Sequence, residues 1–390
     1  VTAEVVSLGC RLNLSESERL RVMLAGSDDL IVINSCAVTA EAVRQTRQAI
    51  RRARKAQPDA RLLVTGCAAE VERAQLAAMP EVDGLIENAA KLDPRAWNVP
   101  PQRQTVAPAH TRAFVQVQNG CDHACTFCII PQGRGKSRST SLHDVLRDIA
   151  HHLDGGAKEV VLTGVDLTSW GADLPNEPRL GDLVTAILDG FPQLGRLRLS
   201  SLDGIEIDEQ LLELLGYEAR VMPHIHLSLQ SGDDLILKRM KRRHSRRDAV
   251  TLVDGLRARR PDLSVGADII AGFPTEDVAA HDSNLSIIRE LAIVHGHVFP
   301  YSSRPGTPAA RMPQTAPATI KARAAELRSA VAAERQSWLS SLIGTPLAVL
   351  AERDGTGHAT NFARVSLPAG TLPGSITTIT PNRIIEGLLA

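Results

Sequence analysis

The sequence has 390 residues, is 43% hydrophobic and 23% charged, and its 44 basic and 44 acidic side chains cancel to a net charge of zero. A chain of this length can build two or three domains with cores of their own. The charge balance excludes a globally basic nucleic-acid binder, and aromatic residues at 3% disfavour recognition by stacking over a wide surface. No apolar run approaches the roughly 18 residues that a membrane span needs. The opening Val1-Thr-Ala-Glu4 lacks the charged segment and apolar stretch of a secretory signal. A soluble, cytoplasmic protein without membrane contact is expected.

From the N-terminus, Glu4–Leu8, Leu30–Ile33 and Arg61–Val64 read as short strands, with helical patterns from Ser15 to about Leu24 and from Ala40 to about Ala56. Strands alternating with helices imply a parallel sheet. Residues 1–90 form this first domain, and 91–111, with its Pro, Gln and Thr, reads as a linker. Six further strands are predicted at Ala113–Gln118, Glu159–Thr163, Arg196–Ser200, His224–Leu229, Ser264–Ile270 and Val294–Phe299. Helices at Ser141–Leu153, Leu180–Leu188, Glu209–Leu215, Arg246–Ala258 and His281–Leu291 separate them. Six β/α units suggest a partial (β/α)6 barrel over 112–340, with its site at the C-terminal strand ends. After a helix from about Ile320 to Leu342, residues 341–390 carry short strands at Leu347–Ala351, Ala363–Leu367 and Ser375–Ile379 and read as a small β domain. The fold class is α/β.

All six cysteines, Cys10, Cys36, Cys67, Cys121, Cys125 and Cys128, lie in the first third of the chain. A disulfide framework belongs to small secreted proteins and does not suit this chain. Cys10, Cys36 and Cys67 each follow a predicted strand of the parallel sheet, so they can converge on one edge, where open α/β folds place ligands. Cys121, Cys125 and Cys128 have the spacing C-x3-C-x2-C after the first barrel strand. Three thiolates on one loop can hold three corners of an iron–sulfur cubane and leave the fourth iron open. The alternative is a Cys3His zinc site with His123, although zinc ligands favour C-x2-C pairs.

The spacing of 121–128, with Phe127 before the last thiol, resembles the radical S-adenosylmethionine (SAM) superfamily. The resemblance implies that Cys121, Cys125 and Cys128 are catalytic cluster ligands, and that Gly164 and Asp166 meet the methionine portion of SAM. Ser200, Gln230 and Asp268 sit at or near later strand ends, suited to line the same pocket. Across the chain, Ser7-Leu-Gly-Cys-Arg-Leu-Asn13, Asn34-Ser-Cys-Ala-Val-Thr39, Thr65-Gly-Cys67, Gly133-Arg-Gly135, Leu227-Ser-Leu-Gln-Ser-Gly232, Gly272-Phe-Pro-Thr-Glu276 and Tyr301-Ser-Ser-Arg-Pro-Gly-Thr-Pro308 resemble the methylthiotransferase family. That resemblance implies a TRAM-like C-terminal domain, SAM as cofactor, and two [4Fe-4S] clusters, the second on Cys10, Cys36 and Cys67 to handle sulfur. It also implies an electron donor of flavodoxin-like or ferredoxin-like kind.

Three substrates compete within the family: threonylcarbamoyladenosine in tRNA, isopentenyladenosine in tRNA, and an aspartate of a small-subunit ribosomal protein. Arg11-Leu-Asn13, Val38-Thr39 and Arg304-Pro-Gly-Thr-Pro308 resemble the threonylcarbamoyladenosine branch. The rival of another class is a non-catalytic Fe–S RNA-binding protein. Basic runs at 238–247 and along 44–55 offer either phosphate contacts or solvated helix faces. The family's pattern is broken at Ser201-Leu-Asp-Gly204, where a Leu-Glu-Pro-like run is common.

Overall fold

A computed structural model describes residues 3–100 and 111–390. The chain forms two compact units. One gathers the described residues up to 100 with Gln118–Arg138 and Ser302–Ala310; the other gathers 111–117, Ser139–Tyr301 and Arg311–Ala390.

In the first unit, β1 (Glu4–Ser7), β2 (Leu30–Ser35), β3 (Arg61–Gly66) and β4 (Gly84–Leu85) form a parallel sheet in that order, with Val6 opposite Ile33 and Ile33 opposite Val64. The runs Leu-Ile-Val-Ile-Asn-Ser and Arg-Leu-Leu-Val-Thr-Gly are buried on both faces, as a covered parallel sheet requires. Ile31, Ile33, Leu62 and Val64 pack with Val43 and Ile50 on one face; Val32 and Leu63 pack with Leu20, Leu24 and Trp97 on the other. This is the two-residue alternation of a strand.

Helix α1 (Arg11–Met23) begins directly after Cys10, earlier than the Ser15 start read from the sequence. Its polar residues Asn13, Ser15, Glu16 and Ser17 are all buried, which hides its apolar periodicity. Helix α2 (Ala40–Ala56) has the predicted bounds, capped by Thr39, whose side chain accepts from the Ala42 N–H. Helix α3 (Cys67–Val71) starts on Cys67 itself. Of the segment read as a linker, 101–110 lies outside the described residues, whereas Lys91 and Trp97 are buried.

In the second unit six parallel strands follow one another: β5 (Arg112–Gln116), β6 (Glu159–Thr163), a third that changes partner, β9 (His224–Gln230), β10 (Ser264–Ala271) and β11 (Ile293–Pro300). The third strand is broken at Ser200. Its first part, β7 (Leu197–Leu199), pairs with β6, and its second, β8 (Ser201–Leu202), pairs with β9. Helices including Leu142–Asp154, Leu180–Gly190, Glu209–Tyr217, Arg246–Arg259 and Val278–Glu290 cover the strands. Val160, Leu162, Ile187, Val253, Ile287 and Leu327 are fully buried in a single core, each contributing about 1.5–3 kcal/mol of apolar burial.

The chain ends in a six-stranded, mostly antiparallel sheet. Three of its strands were not predicted: Thr356–Ala359, Ile384–Ile385 and Leu388–Leu389. Arg198 anchors this sheet from β7: it is buried, paired with Glu159 at 2.9 Å, donates to the Thr360 carbonyl at 3.1 Å, and lies over the Phe362 ring.

Candidate active site

Cys36 and Cys67 directly follow β2 and β3, and Cys10 follows the β1 turn, so the three lie along one edge of the sheet. The Gly-Cys pairs have a steric reason. Gly9 has φ +92°, and a Cβ there would sit 2.6 Å from Cys36 Cβ and 2.8 Å from its Sγ. Gly66 has φ +90°, and its Cβ would meet the Ser35 backbone at 2.5 Å. Only glycine allows these approaches. Asn13 Nδ2 donates to the carbonyls of Leu8 (2.6 Å) and Ser35 (3.0 Å), fixing the first two loops, and Ser35 Oγ donates to Thr65 O while accepting from Ala68 N–H.

Cys36 and Cys67 are buried and Cys10 is exposed. Burial pushes the Cys36 thiol up to about 11, and the neighbouring Cys67 and Cys10 add to the rise. Burial also raises Cys67, against the opposing fields of Arg134 and Lys91. Burial thus disfavours free thiolates here, and a thiophilic cation bound to them would have to offset that cost. The donor set and the tight Gly-Cys turns suit an iron–sulfur cluster.

The second triplet rides on a loop closed at its base. Gly120 (φ +74°) lies so close to Lys136 that a Cβ would sit 1.9 Å from its carbonyl oxygen, and Cys121 N–H donates to Gly135 O at 3.2 Å. Within the loop, backbone amides point at sulfur: His123 N–H to Cys121 Sγ and Ile130 N–H to Cys128 Sγ, both 3.4 Å. Such donors favour thiolate. All three cysteines are partly exposed, consistent with an open coordination position. Ala309 N–H donates to the Thr126 carbonyl at 2.9 Å, tying the Ser302–Ala310 segment to the loop, and Arg304 anchors that segment to Glu72 at 2.9 Å.

Sequence reasoning missed a buried polar network in the same unit. Helix α4 (Ile130–Arg134) ends in Arg134, which pairs with Glu16 at 2.9 Å, donates to Asn119 Oδ1 at 2.8 Å and bonds Asn13 Oδ1. Glu16 also pairs with Lys91 at 2.5 Å, and Lys91 reaches Asn34 Oδ1 at 3.2 Å. The motif Gly133-Arg-Gly135 was visible; its partners, far apart in sequence, were not.

The residues expected to meet SAM belong to the second unit. Gly164 and Asp166 follow β6, and Asp166 accepts from Ser169 Oγ at 2.6 Å. Ser200 stands at the break in the third strand, its Oγ buried and without a hydrogen-bond partner among the described residues. Gln230 ends β9 with φ +68°. Asp268 lies inside β10 rather than at its end. Its Oδ1 accepts from His226 Nε2 (3.0 Å) and His297 Nδ1 (3.1 Å) on the two flanking strands. Burial would raise this carboxyl, but the two imidazoles hold it well below the usual carboxylate range. Below them, His224 meets His295 edge-on and stacks on Phe362. The signal for this imidazole-lined face was present as two His-x-His pairs, 224/226 and 295/297. Of the basic run, Arg239, Arg242, Arg243 and Arg246 serve as internal ties, to Thr275, Asp203, Glu206 and Glu290.

A C-x3-C-x2-C loop leading into a six-unit parallel β/α series defines a radical SAM enzyme. Residues 115–282 match the radical SAM superfamily, and residues 2–87 match a family described as uncharacterized protein family UPF0004. Among solved structures, the radical SAM methyltransferase TsrM of Kitasatospora setae, with cobalamin and a [4Fe-4S] cluster bound, superposes with a TM-score of 0.54 at 14% identity, over 75% of this chain and 66% of that one. Among sequences, the threonylcarbamoyladenosine tRNA methylthiotransferase MtaB of Rickettsia prowazekii is 45% identical over 93% of this chain and 91% of its own length. The tRNA-2-methylthio-N(6)-dimethylallyladenosine synthase of Cereibacter sphaeroides is 30% identical over 90% and 87%. The chain belongs to the radical SAM methylthiotransferase family. It is a radical SAM enzyme, and no helix among the described residues is long and apolar enough to cross a membrane.

Proposed function

We propose that this enzyme adds a methylthio group to C2 of threonylcarbamoyladenosine beside the tRNA anticodon, using SAM both as radical source and as methyl donor. The observation that carries this reading is the 45% identity to the relative of that name across 93% of the chain, against 30% to the dimethylallyladenosine relative. Cys121, Cys125 and Cys128 would hold one [4Fe-4S] cluster, which with SAM would supply the radical, and Cys10, Cys36 and Cys67 would hold a second, which would supply the sulfur. The amides of His123 and Ile130 hold the loop's sulfurs, and the Ser302–Ala310 segment ties the loop through Ala309 N–H to Thr126 O. Gly164, Asp166, Ser200, Gln230 and Asp268 line the SAM pocket, and the two imidazoles bonded to Asp268 orient its carboxylate.

The organisation proposed is an N-terminal methylthiotransferase domain over 1–90, a linker over 91–111, a radical SAM domain over 112–340 and a TRAM-like domain over 341–390. The enzyme works in the cytoplasm with a flavodoxin-like or ferredoxin-like electron donor. Nucleoside profiling of tRNA from a deletion strain tests the substrate. Loss of the 2-methylthio-threonylcarbamoyl nucleoside, restored by the wild-type chain but not by Cys36→Ala, is expected. Loss of the isopentenyladenosine product instead, or unchanged tRNA with an unmodified ribosomal protein, would reassign it.

A further inference from the structure

Arg134 follows the second cysteine loop in sequence but is wired to the first triplet. Its residue pair with Gly133 brings the backbone against Cys67: a Cβ on Gly133 would sit 3.2 Å from Cys67 Cβ. Asn88 closes this contact, donating to Gly133 O at 2.5 Å with the same Nδ2 at 4.0 Å from Cys67 Sγ. Around the single carboxylate of Glu16 stand two cations, Arg134 and Lys91, and all three side chains are at most 2% exposed. Burial and Arg134 lower the Lys91 ammonium while Glu16 opposes them, and with both cations charged the network carries one positive charge beyond its carboxylate. A purely structural tie does not need it: buried ion pairs are seldom more stable than well-packed apolar substitutes, and an uncompensated buried charge is costly. In the low dielectric of the interior such a charge acts over several ångströms on any centre beside it.

We propose that the Arg134–Glu16–Lys91 network sets the reduction potential of the iron–sulfur group on Cys10, Cys36 and Cys67, the two cations raising it and Glu16 moderating them. A positive neighbour stabilises the reduced, more negative state of a cluster, and a carboxylate does the reverse. Arg134, Lys91 and Glu16 are thus positioning residues, acting through charge rather than by touching substrate. The inference rests on the reading that this triplet holds a cluster.

The test uses the full chain with Cys121, Cys125 and Cys128 changed to Ala, reconstituted anaerobically so that only the first triplet can load. The potential is then followed by EPR during a redox titration. Glu16→Gln is expected to shift the midpoint upward, and Arg134→Gln and Lys91→Met to shift it downward, with Arg134→Lys returning most of the way to the parent. Shifts of the same sign in Glu16→Gln and Arg134→Gln, or no shift in either, would overturn the proposal, since structural damage has no reason to change sign with charge. The Lys91→Met titration keeps the test decisive if Arg134→Gln fails to fold. A parent that binds no iron at all removes the second-cluster reading itself, and the inference falls with it.

Discussion

Gly9 and Cys36 touch in a way that no side chain at position 9 would permit: a Cβ there would lie 2.6 Å from Cys36 Cβ. The φ of +92° is itself a conformation that residues with side chains rarely adopt. Gly9→Ala should therefore cost about 1–3 kcal/mol from backbone strain alone. It should also push Cys36 off its position. A chemical denaturation curve of the apo-protein should show the lower midpoint, and iron bound per chain should fall. An unaltered midpoint with full iron would show that the turn is not tight.

Arg198 and Glu159 are fully buried partners at 2.9 Å, and Arg198 also carries the C-terminal sheet through Thr360 and Phe362. Removing Arg198 leaves buried Glu159 with the more distant Arg196, at 3.8 Å, so Arg198→Ala should destabilise by about 3 kcal/mol, the low end for a broken buried pair. Thermal unfolding should register the loss. Limited proteolysis should cut within 345–390 earlier in the variant than in wild type.

His295 packs against Trp338, His224 and Phe362, and its Nε2 has no hydrogen-bond partner among the described residues. Burial, reinforced by the nearby Arg335, pushes it down to about 3 from an ordinary 6.5. The unfolded chain therefore binds this proton at a pH where the folded chain does not. The contribution is intact above about 6.5 and is lost as pH falls from there toward 3, amounting to about 2 kcal/mol at pH 5. Urea unfolding at pH 7 and pH 5 should show the slope, and His295→Phe should flatten it.

Asp268 accepts two hydrogen bonds from imidazoles, each charge-assisted and worth about 1.5–3 kcal/mol. Asp268→Asn should lower 5′-deoxyadenosine formation by at least about tenfold, the equivalent of one such bond, while iron content stays at the wild-type level. Unchanged SAM cleavage would place Asp268 outside the pocket.

The sequence was most legible where local signals and tertiary packing agree. The cap at Thr39 and the Ala-rich run after it delimit α2, and the β-branched runs mark β2, β3 and β6. Helix α1 was misread at its start because Asn13, Ser15, Glu16 and Ser17 are buried by partners rather than exposed to water. Lys91 looked like the beginning of a polar linker because its carboxylate partner, Glu16, lies 75 positions away. Gly357 and the brevity of the last strands concealed the sheet between Thr356 and Leu389. The sequence suggested a strand-end position for Asp268, whereas it lies within β10, and its binding to two flanking strands needed the register that sets it opposite His297.

Metal analysis of the anaerobically reconstituted enzyme, paired with SAM cleavage, bears most directly on the division of labour between the two cysteine sets. Wild type should bind about eight irons and cleave SAM reductively, and Cys36→Ala should keep about four irons together with cleavage but transfer no sulfur. Cys125→Ala should lose cleavage. Protein that is colourless and carries only zinc, or a Cys36→Ala variant that still methylthiolates tRNA, would contradict the account.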